Sequence, residues 1–139
     1  MGRHADTDWL YEAETRGVLV RVRPSFLPEQ SDPEQRQWVW AYDVEIENRG
    51  TETVQLIARH WYITDGIGRV EEVEGQGVVG EQPTLRPGES FHYTSGCPLP
   101  TPSGVMAGTY QMVTDAGERF LATIPAFSLD LPDAPRVVN

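Results

Sequence analysis

The pattern of apolar and polar positions along the chain has a period of two residues. It is clearest over residues 37–47, where one set of alternate positions is wholly apolar: Trp38, Trp40, Tyr42, Val44 and Ile46. An alternation of this length predicts a strand with one buried face and one largely wet face. A helix would distribute the three aromatic rings around its circumference instead. Val18, Val20 and Val22 alternate with their neighbours in the same way.

The same pattern predicts further strands over residues 53–64, 69–74, 89–95, 108–114 and 119–127. The phase of residues 53–64 slips near Leu56 and Ile57, which indicates a β-bulge. Two proline-rich stretches, residues 24–36 and 97–104, predict irregular loops because proline breaks strands and helices. We therefore expect an all-β fold, a two-sheet antiparallel β-sandwich of the immunoglobulin or fibronectin type III-like kind. The predicted domain covers residues 12–128, between flexible segments 1–11 and 129–139.

Glycine-containing turn signals separate the predicted strands. Asn48-Arg49-Gly50 and Asp115-Ala116-Gly117 are typical of tight hairpins with positive φ, and Arg86-Pro87-Gly88 has the order that a type II turn prefers. The segment Gly75-Gln76-Gly77-Val78-Val79-Gly80 matches the G-x-G-x-x-G pattern of dinucleotide-binding folds. Glu81-Gln82-Pro83 follows, so no helix starts there to hold a pyrophosphate. The glycines predict a tight crossing between sheets, or a loop whose amides meet an anion or a partner's main chain.

Composition narrows the function classes. The chain has 139 residues, which is about one domain, and a formal net charge of −10. All 11 basic residues are arginine, and such an acidic chain is not expected to bind nucleic acid or anionic membranes. The start of the chain has no apolar signal-peptide core, so a cytoplasmic location is expected. The lone Cys97 fits a reducing compartment.

Candidate reactive groups are few. If Trp61 points inward, Arg59 shares its parity and His60 points outward, unless the bulge resets the phase. His4, His60, His92 and Cys97 are too scattered for a structural zinc site. The acidic run of Asp65, Glu71, Glu72 and Glu74 is typical of a solvated face. His92 and Cys97 differ in parity, and no catalytic motif is present, so we expect neither enzymatic activity nor a metal or cofactor.

The motifs together resemble those of the bacterial ApaG family. The resemblance rests on Arg59-His60-Trp61, Ile63-Thr64-Asp65, the segment from Gly75 to Pro83, Pro87-Gly88-Glu89, Tyr93-Thr94-Ser95-Gly96, Thr101-Pro102-x-Gly104, Met106-x-Gly108-x-Tyr110 and Ile124-Pro125-Ala126-Phe127. It implies a sandwich of the fibronectin type III kind and a link to cobalt-resistance and magnesium-efflux phenotypes. Similar domains in eukaryotic F-box and polymerase-interacting proteins look like protein-recognition modules.

Two functions follow as hypotheses. The first is a protein-interaction module with an unidentified protein partner, and a homodimer through an uncovered strand edge is a further possibility. The second is a binder of a small anion, such as pyrophosphate or a nucleotide, or of a divalent cation at the glycine-rich segment. This binder would use Gly75, Gly77, Gly80, Arg59 and His60, and Asp65, Glu81 and Gln82 are further candidate residues for binding a ligand or partner. The anion version needs the backbone amides and Arg59 to converge. The cation version would use Asp65, Glu71 or Glu74.

Overall fold

Residues 9–132 are described by the computed structural model of the protein. Within them lie nine strands: β1 (Tyr11–Thr15), β2 (Val18–Phe26), β3 (Trp38–Asn48), β4 (Val54–Asp65), β5 (Val70–Gln76), β6 (Thr84–Leu85), β7 (Ser90–Leu99), β8 (Gly104–Thr114) and β9 (Arg119–Leu129). Two short 3-10 turns, Pro28–Gln30 and Pro33–Gln35, lie between β2 and β3. The predicted flexible segments fall largely on residues 1–8 and 133–139, which lie outside the described residues.

The strands form two antiparallel sheets. One sheet has the order β1-β2-β3-β7, and the other has the order β5-β4-β8-β9, with β6 also paired to β4. The predicted all-β, two-sheet antiparallel sandwich is therefore confirmed. In the part of the chain that the structure describes, no helix is long and apolar enough to cross a membrane.

The core lies between the sheets and is built from the inward positions of the alternating strands. Trp40 on β3 is 1% exposed, and Trp61 on β4 is 3% exposed. Phe127 on β9 packs with Tyr42 and Trp61 at ring-centroid distances of 5.9 and 6.0 Å. Burial of such large rings supplies much of the hydrophobic stabilisation of a small sandwich. Of the inward set predicted for β3, Trp40, Tyr42, Val44 and Ile46 are buried, whereas Trp38, the first residue of the strand, is partly buried and packs against the core.

The two proline-rich stretches contain more strand than the sequence predicts. Strand β2 continues through Pro24 to Phe26, and β7 continues through Cys97 and Pro98 to Leu99. The prediction of irregular structure was wrong there because both prolines lie where a strand has a neighbour on one side only. Strand β1 pairs with β2 only as far as Val22, so Pro24 has a neighbour in β3 alone. Strand β7, which contains Pro98, is the last strand of its sheet. Proline is tolerated at such edges because its missing N–H is not needed by a second neighbour.

The segment from Asn48 to Gly50 is not a hairpin, as predicted, but the crossing from one sheet to the other. Neither Asn48 nor Gly50 has a positive φ. The Asn48 side chain is buried instead, and its Nδ2 donates to the carbonyl oxygens of Glu52 (2.7 Å) and Leu85 (2.9 Å). The prediction was wrong because it took Asn48 for a turn residue. Its side chain instead links the crossing to β6 through the hydrogen bond to Leu85. The predicted turns at Gly88 and Gly117 are confirmed, with φ of 91° and 88°.

The two sides of the sandwich differ. On one side β1 packs against β9, and Oγ1 of Thr15 accepts a hydrogen bond from the N–H of Thr123 (3.0 Å). On the other side the edge strands β5 and β7 face each other without pairing. That second side is therefore the open side of the molecule.

Candidate functional site

A groove runs along the open side of the sandwich, between β5 and β7. Its deeper part is a cavity of about 440 Å³, lined by Tyr42, Arg59, Trp61, Val73, Val78, Val79, Gly80, Tyr93, Ser95, Cys97 and Met106 among others. A shallower depression of about 430 Å³ continues from it and is lined by Asp65, Arg69, Val70, Leu99 and Pro100. The two share Ile63, Glu71 and Pro98, so they form one continuous feature, which we call the edge groove.

The sequence prediction missed the wall that β7 contributes. Tyr93, Ser95 and Cys97 face the groove, while His92 and Thr94 are exposed on the other face. This is the period-two alternation of a strand. The same alternation in the sequence could have predicted that β7 continues beyond Ser95. The predicted opposite orientation of His92 and Cys97 is confirmed.

Arg59 projects from β4 into the groove and is held by the backbone of the glycine-rich segment. Its Nη1 donates to the carbonyl oxygens of Gln76 (3.1 Å) and Gly77 (2.9 Å). Gly75 is the register partner of Arg59, and a Cβ there would approach the guanidinium to 2.8 Å. Among the described residues no carboxylate lies within ion-pair distance of Arg59. The guanidinium is therefore fixed in place while its charge is not neutralised by a partner within the domain.

The inner wall of the groove carries hydroxyl and thiol groups in a poorly solvated setting. The hydroxyls of Tyr93 and Tyr110 are hydrogen-bonded to each other at 2.5 Å. Burial raises the pKa of both tyrosines, and the positive charge of Arg59 partly opposes that rise. Burial, together with the negative charge of Glu71, raises the pKa of the Cys97 thiol to about 11. These groups are therefore protonated at neutral pH and act as hydrogen-bonding or apolar surface.

The β4 bulge anchors the glycine-rich segment. The register between β4 and β8 shifts between Leu56 and Ala58, which confirms the predicted bulge and leaves Ile57 unpaired. The Ile57 carbonyl accepts hydrogen bonds from the N–H of Gly77 and from Nε2 of Gln82, both at 2.9 Å. Strands β5 and β6 both pair with β4. The predicted crossing between sheets at this segment was therefore wrong. Strand β5 stops pairing with β4 at the bulge, and β6 then pairs with β4 beyond it, so the chain stays in one sheet.

The tip of the segment is a tight turn. Val78 and Glu81 exchange two backbone hydrogen bonds of 2.9 and 2.8 Å. The residues between them, Val79 and Gly80, have φ of 43° and 82°, as in a type I′ turn. A β-branched residue with positive φ is an outlier, and the Val79 side chain is 55% exposed beside the cavity. The chain then enters β6, so the exclusion of a dinucleotide-binding helix after Gly80 is confirmed.

His60 lies on the outer face of the sheet, as the parity argument predicted, and its side chain is not in the edge groove. Its Nε2 is 2.9 Å from Oε1 of Glu72 and its Nδ1 is 3.3 Å from Oε2 of Glu74, and its ring stacks on Tyr62. These three side chains offer ligand atoms within 4.8 Å of one another, a set that a divalent cation accepts. The same distances are also those of hydrogen bonds between an imidazole and carboxylates, which account for the arrangement without a metal.

The remaining candidate residues separate as well. Oδ1 of Asp65 accepts the N–H groups of Ile67 (3.0 Å) and Arg69 (2.9 Å), which closes the β4–β5 turn. Desolvation opposes ionisation of Asp65, but those bonds and the Arg69 charge leave its pKa below the usual value. Glu71 faces the edge groove, whereas Glu74 lies on the outer face. The alternation along β5 thus prevents Asp65, Glu71 and Glu74 from converging. Glu81 is exposed, and Gln82 braces the bulge.

Comparison with known proteins places this geometry in a family. The family model of the ApaG domain matches residues 28–114. The chain is 63% identical over 129 residues to the protein ApaG of Caulobacter vibrioides, which covers 93% of this chain and 92% of that one. It is 64% identical over 123 residues to the protein ApaG of Rhodospirillum centenum, which covers 88% of this chain and 95% of that one.

The fold is shared with a solved structure of similar sequence. The crystal structure of a Bordetella pertussis protein named ApaA is 52% identical and superposes with a TM-score of 0.82, covering 90% of this chain and all of the other. The strands and turns that form the edge groove, from β4 to β8, fall within the residues that the family model matches. The chain belongs to the ApaG family.

Proposed function

We propose that the protein is a non-catalytic recognition module whose edge groove binds an extended segment of a partner protein. The observation that carries this proposal is the position of the groove between two unpaired strand edges, β5 and β7. A peptide laid along either edge gains main-chain hydrogen bonds while its alternate side chains enter the groove. The cobalt and magnesium phenotypes implied by the family resemblance would then act through that partner.

Exposed apolar residues at the rim of the groove support the proposal. Val70 and Val79 are 59% and 55% exposed and line the shallow and deep parts, respectively. Ile67, in the turn before β5, is 69% exposed. Exposed apolar residues beside a concave surface are typical of a docking site for another chain.

The chemistry of the inner wall supports a binding role over a catalytic one. A nucleophilic cysteine needs a lowered thiol pKa, whereas the pKa of Cys97 is raised to about 11. The hydroxyls of Tyr93 and Tyr110 are bonded to each other and also have raised pKa values. The N–H groups of Gly77, Val78 and Glu81 are bonded to backbone carbonyls. A pyrophosphate or nucleotide cradled by the glycine amides is therefore the less favoured ligand.

Site-specific photo-crosslinking tests the proposal. Benzoylphenylalanine replaces Val70 at the groove rim or, as a matched control, Leu121, which is equally exposed at 59% on the outer face of the same sheet. Irradiation in a cytoplasmic extract should produce a discrete adduct from position 70 alone. Mass spectrometry of the adduct should map to one short segment of the partner.

Hydrogen exchange with that segment as a synthetic peptide completes the test. Binding should slow exchange of amides on the facing edge of β5 or β7, and Ser95→Trp, which fills the cavity, should abolish the effect. Thr94→Trp, one residue along β7 on the other face, is the matched control and should retain binding. Equal crosslinking from both positions, or protection unaffected by Ser95→Trp, would show that the groove is not the binding surface.

A further inference from the structure

The N–H donors of Arg59 that make no hydrogen bond within the described residues indicate which ligand the edge groove prefers. A guanidinium carries five N–H donors, and both of those on Nη1 are directed to the carbonyls of Gln76 and Gly77. The donors on Nε and Nη2 remain. This pair is parallel and spaced to grip both oxygens of a carboxylate. Because two carbonyls and Gly75 fix the group, little side-chain entropy is lost when an anion binds.

The charge of Arg59 is left unpaired in a strongly acidic molecule. Arg16 and Arg23 pair with Glu118 and Asp43, each at 3.1 Å. Arg59 has no such carboxylate among residues 9–132, although the neighbouring strand β5 is rich in glutamate. The alternation of β5 turns Glu72 and Glu74 to the outer face, where they contact His60. Glu71 faces the groove but forms no ion pair with Arg59 among the described residues. A cation left unpaired beside a concave apolar surface points to an anionic occupant.

The surroundings of Arg59 indicate which anion. The cavity of about 440 Å³ beside it is walled by Tyr42, Trp61, Val78 and Met106. These walls favour an apolar side chain within a few ångströms of the carboxylate. An internal Asp or Glu carries its carboxylate at the end of its own side chain, so an apolar side chain must come from a different residue. Within a peptide chain, only the C-terminal residue carries an apolar side chain and a carboxylate on the same Cα.

We propose that the edge groove binds the free C-terminal end of a partner chain. The terminal carboxylate pairs with Nε and Nη2 of Arg59, and the last side chain, which is apolar, fills the cavity. The carboxylate of Glu71 lines the groove, Glu81 is exposed at the end of the Val78–Glu81 turn, and the chain has a net charge of −10. The residues preceding the terminus are therefore basic, by charge complementarity. This inference rests on the proposed function and specifies its ligand.

A peptide array with free C-termini tests the inference on the whole chain. The octapeptides vary in the last residue and in the number of preceding lysines, and each is also made as the C-terminal amide. A third series carries an internal glutamate and an amidated end. We expect binding to favour lysine-rich peptides that end in an apolar residue, with the free acid at least tenfold tighter than its amide. Arg59→Gln should abolish the difference between acid and amide, and Arg59→Lys, which keeps the charge but not the fork, should retain only part of it.

The outcomes separate the two proposals. If the acid and the amide bind equally well in the groove, the carboxylate anchor is wrong while segment binding stands. If the internal-glutamate series binds as tightly as the free acids, the anchor is a side chain and the terminal assignment is wrong. If benzoate or inorganic pyrophosphate alone displaces the peptides at the concentration at which the peptides themselves bind, the site takes free anions. Because the comparison of acid with amide uses the wild-type chain, it is decisive even where an Arg59 variant fails to fold.

Discussion

Gly75 lies directly against the guanidinium of Arg59, so closely that a Cβ at position 75 would stand 2.8 Å from Nη2 and 2.9 Å from Cζ. The two residues are register partners on β5 and β4. The first glycine of the G-x-G-x-x-G pattern therefore leaves room for the side chain of Arg59, on the neighbouring strand of the same sheet. It lets Arg59 cross the edge strand and reach the carbonyls of Gln76 and Gly77.

Gly75→Ala should displace the Arg59 guanidinium with little loss of stability. The added methyl meets the far end of a flexible side chain, so the free energy of unfolding should fall by about 1 kcal/mol or less. The Nε–Hε NMR signal of Arg59 should shift and broaden, and peptide affinity at the edge groove should fall with it. Gly50→Ala, in the crossing between β3 and β4 and outside the groove, is the control, because φ there is not positive and the nearest contact of a Cβ would be an ordinary 3.4 Å to Oδ1 of Asn48. An unchanged Arg59 signal in Gly75→Ala would contradict the relationship.

The other two glycines of the pattern should respond differently to alanine. At Gly77 the φ of 66° is unfavourable for alanine, and a Cβ would stand 2.3 Å from the Glu81 carbonyl oxygen. At Gly80 the φ is 82° but the space is open. We expect Gly77→Ala to cost about 3 kcal/mol and Gly80→Ala about 1 kcal/mol in urea denaturation. Equal costs would mean that the Val78–Glu81 turn is not closed as described.

Much of the fold follows from the sequence because alternation is a local property. The strand β3 and the bulge near Ile57 are both visible as a period of two and a slip in its phase. The end of β7 was missed because a proline is compatible with a strand only at a sheet edge. Which strand lies at the edge depends on pairing with distant parts of the chain.

The candidate site was predicted only in part for the same reason. The parity of Arg59 and His60 is local, and both were placed on the correct faces. The contact of Arg59 with Gly75 depends on the register of β4 with β5, and the cavity depends on the spacing of two edges from different sheets. Neither is encoded in any short motif. The glycine pattern consequently suggested a ligand loop, whereas the amides of Gly77 and Val78, and that of Glu81 just after it, bond within the segment or to the β4 bulge.

Val79→Asn should stabilise the protein and lower the affinity of the edge groove for peptides. Val79 has a φ of 43°, which costs a β-branched residue about 1–2 kcal/mol, and Asn-Gly is the preferred pair for a type I′ turn. The free energy of unfolding should rise by about 1 kcal/mol. Peptide affinity should fall because the exposed apolar side chain is lost from the rim. Val70→Asn, at an exposed valine of β5 without positive φ, should weaken binding but not raise stability.

Stability should decline in alkaline solution, and Cys97 should account for the first part of the decline. The folded thiol has a pKa of about 11 against a usual value of 9.0, because it is buried and lies near Glu71. A raised folded-state pKa for a group that is charged when deprotonated means that the unfolded chain releases its proton first. The stabilisation is therefore complete below about pH 8 and is lost as the pH rises from 9 towards 11. The slope for one proton is about 1.4 kcal/mol per pH unit.

Urea denaturation of Cys97→Ala at several pH values isolates this contribution. Truncation lowers stability at every pH, so the slopes rather than the absolute free energies are compared. Between pH 9 and 10 the slope of the variant should be smaller by nearly one proton. Above pH 10 both proteins should lose stability together, because burial also raises the pKa of Tyr93 and Tyr110 above the usual 10.0. Identical slopes between pH 9 and 10 would show that the thiol ionises as readily in the folded protein as in the unfolded chain, and that the inner wall of the groove is wetter than its burial implies.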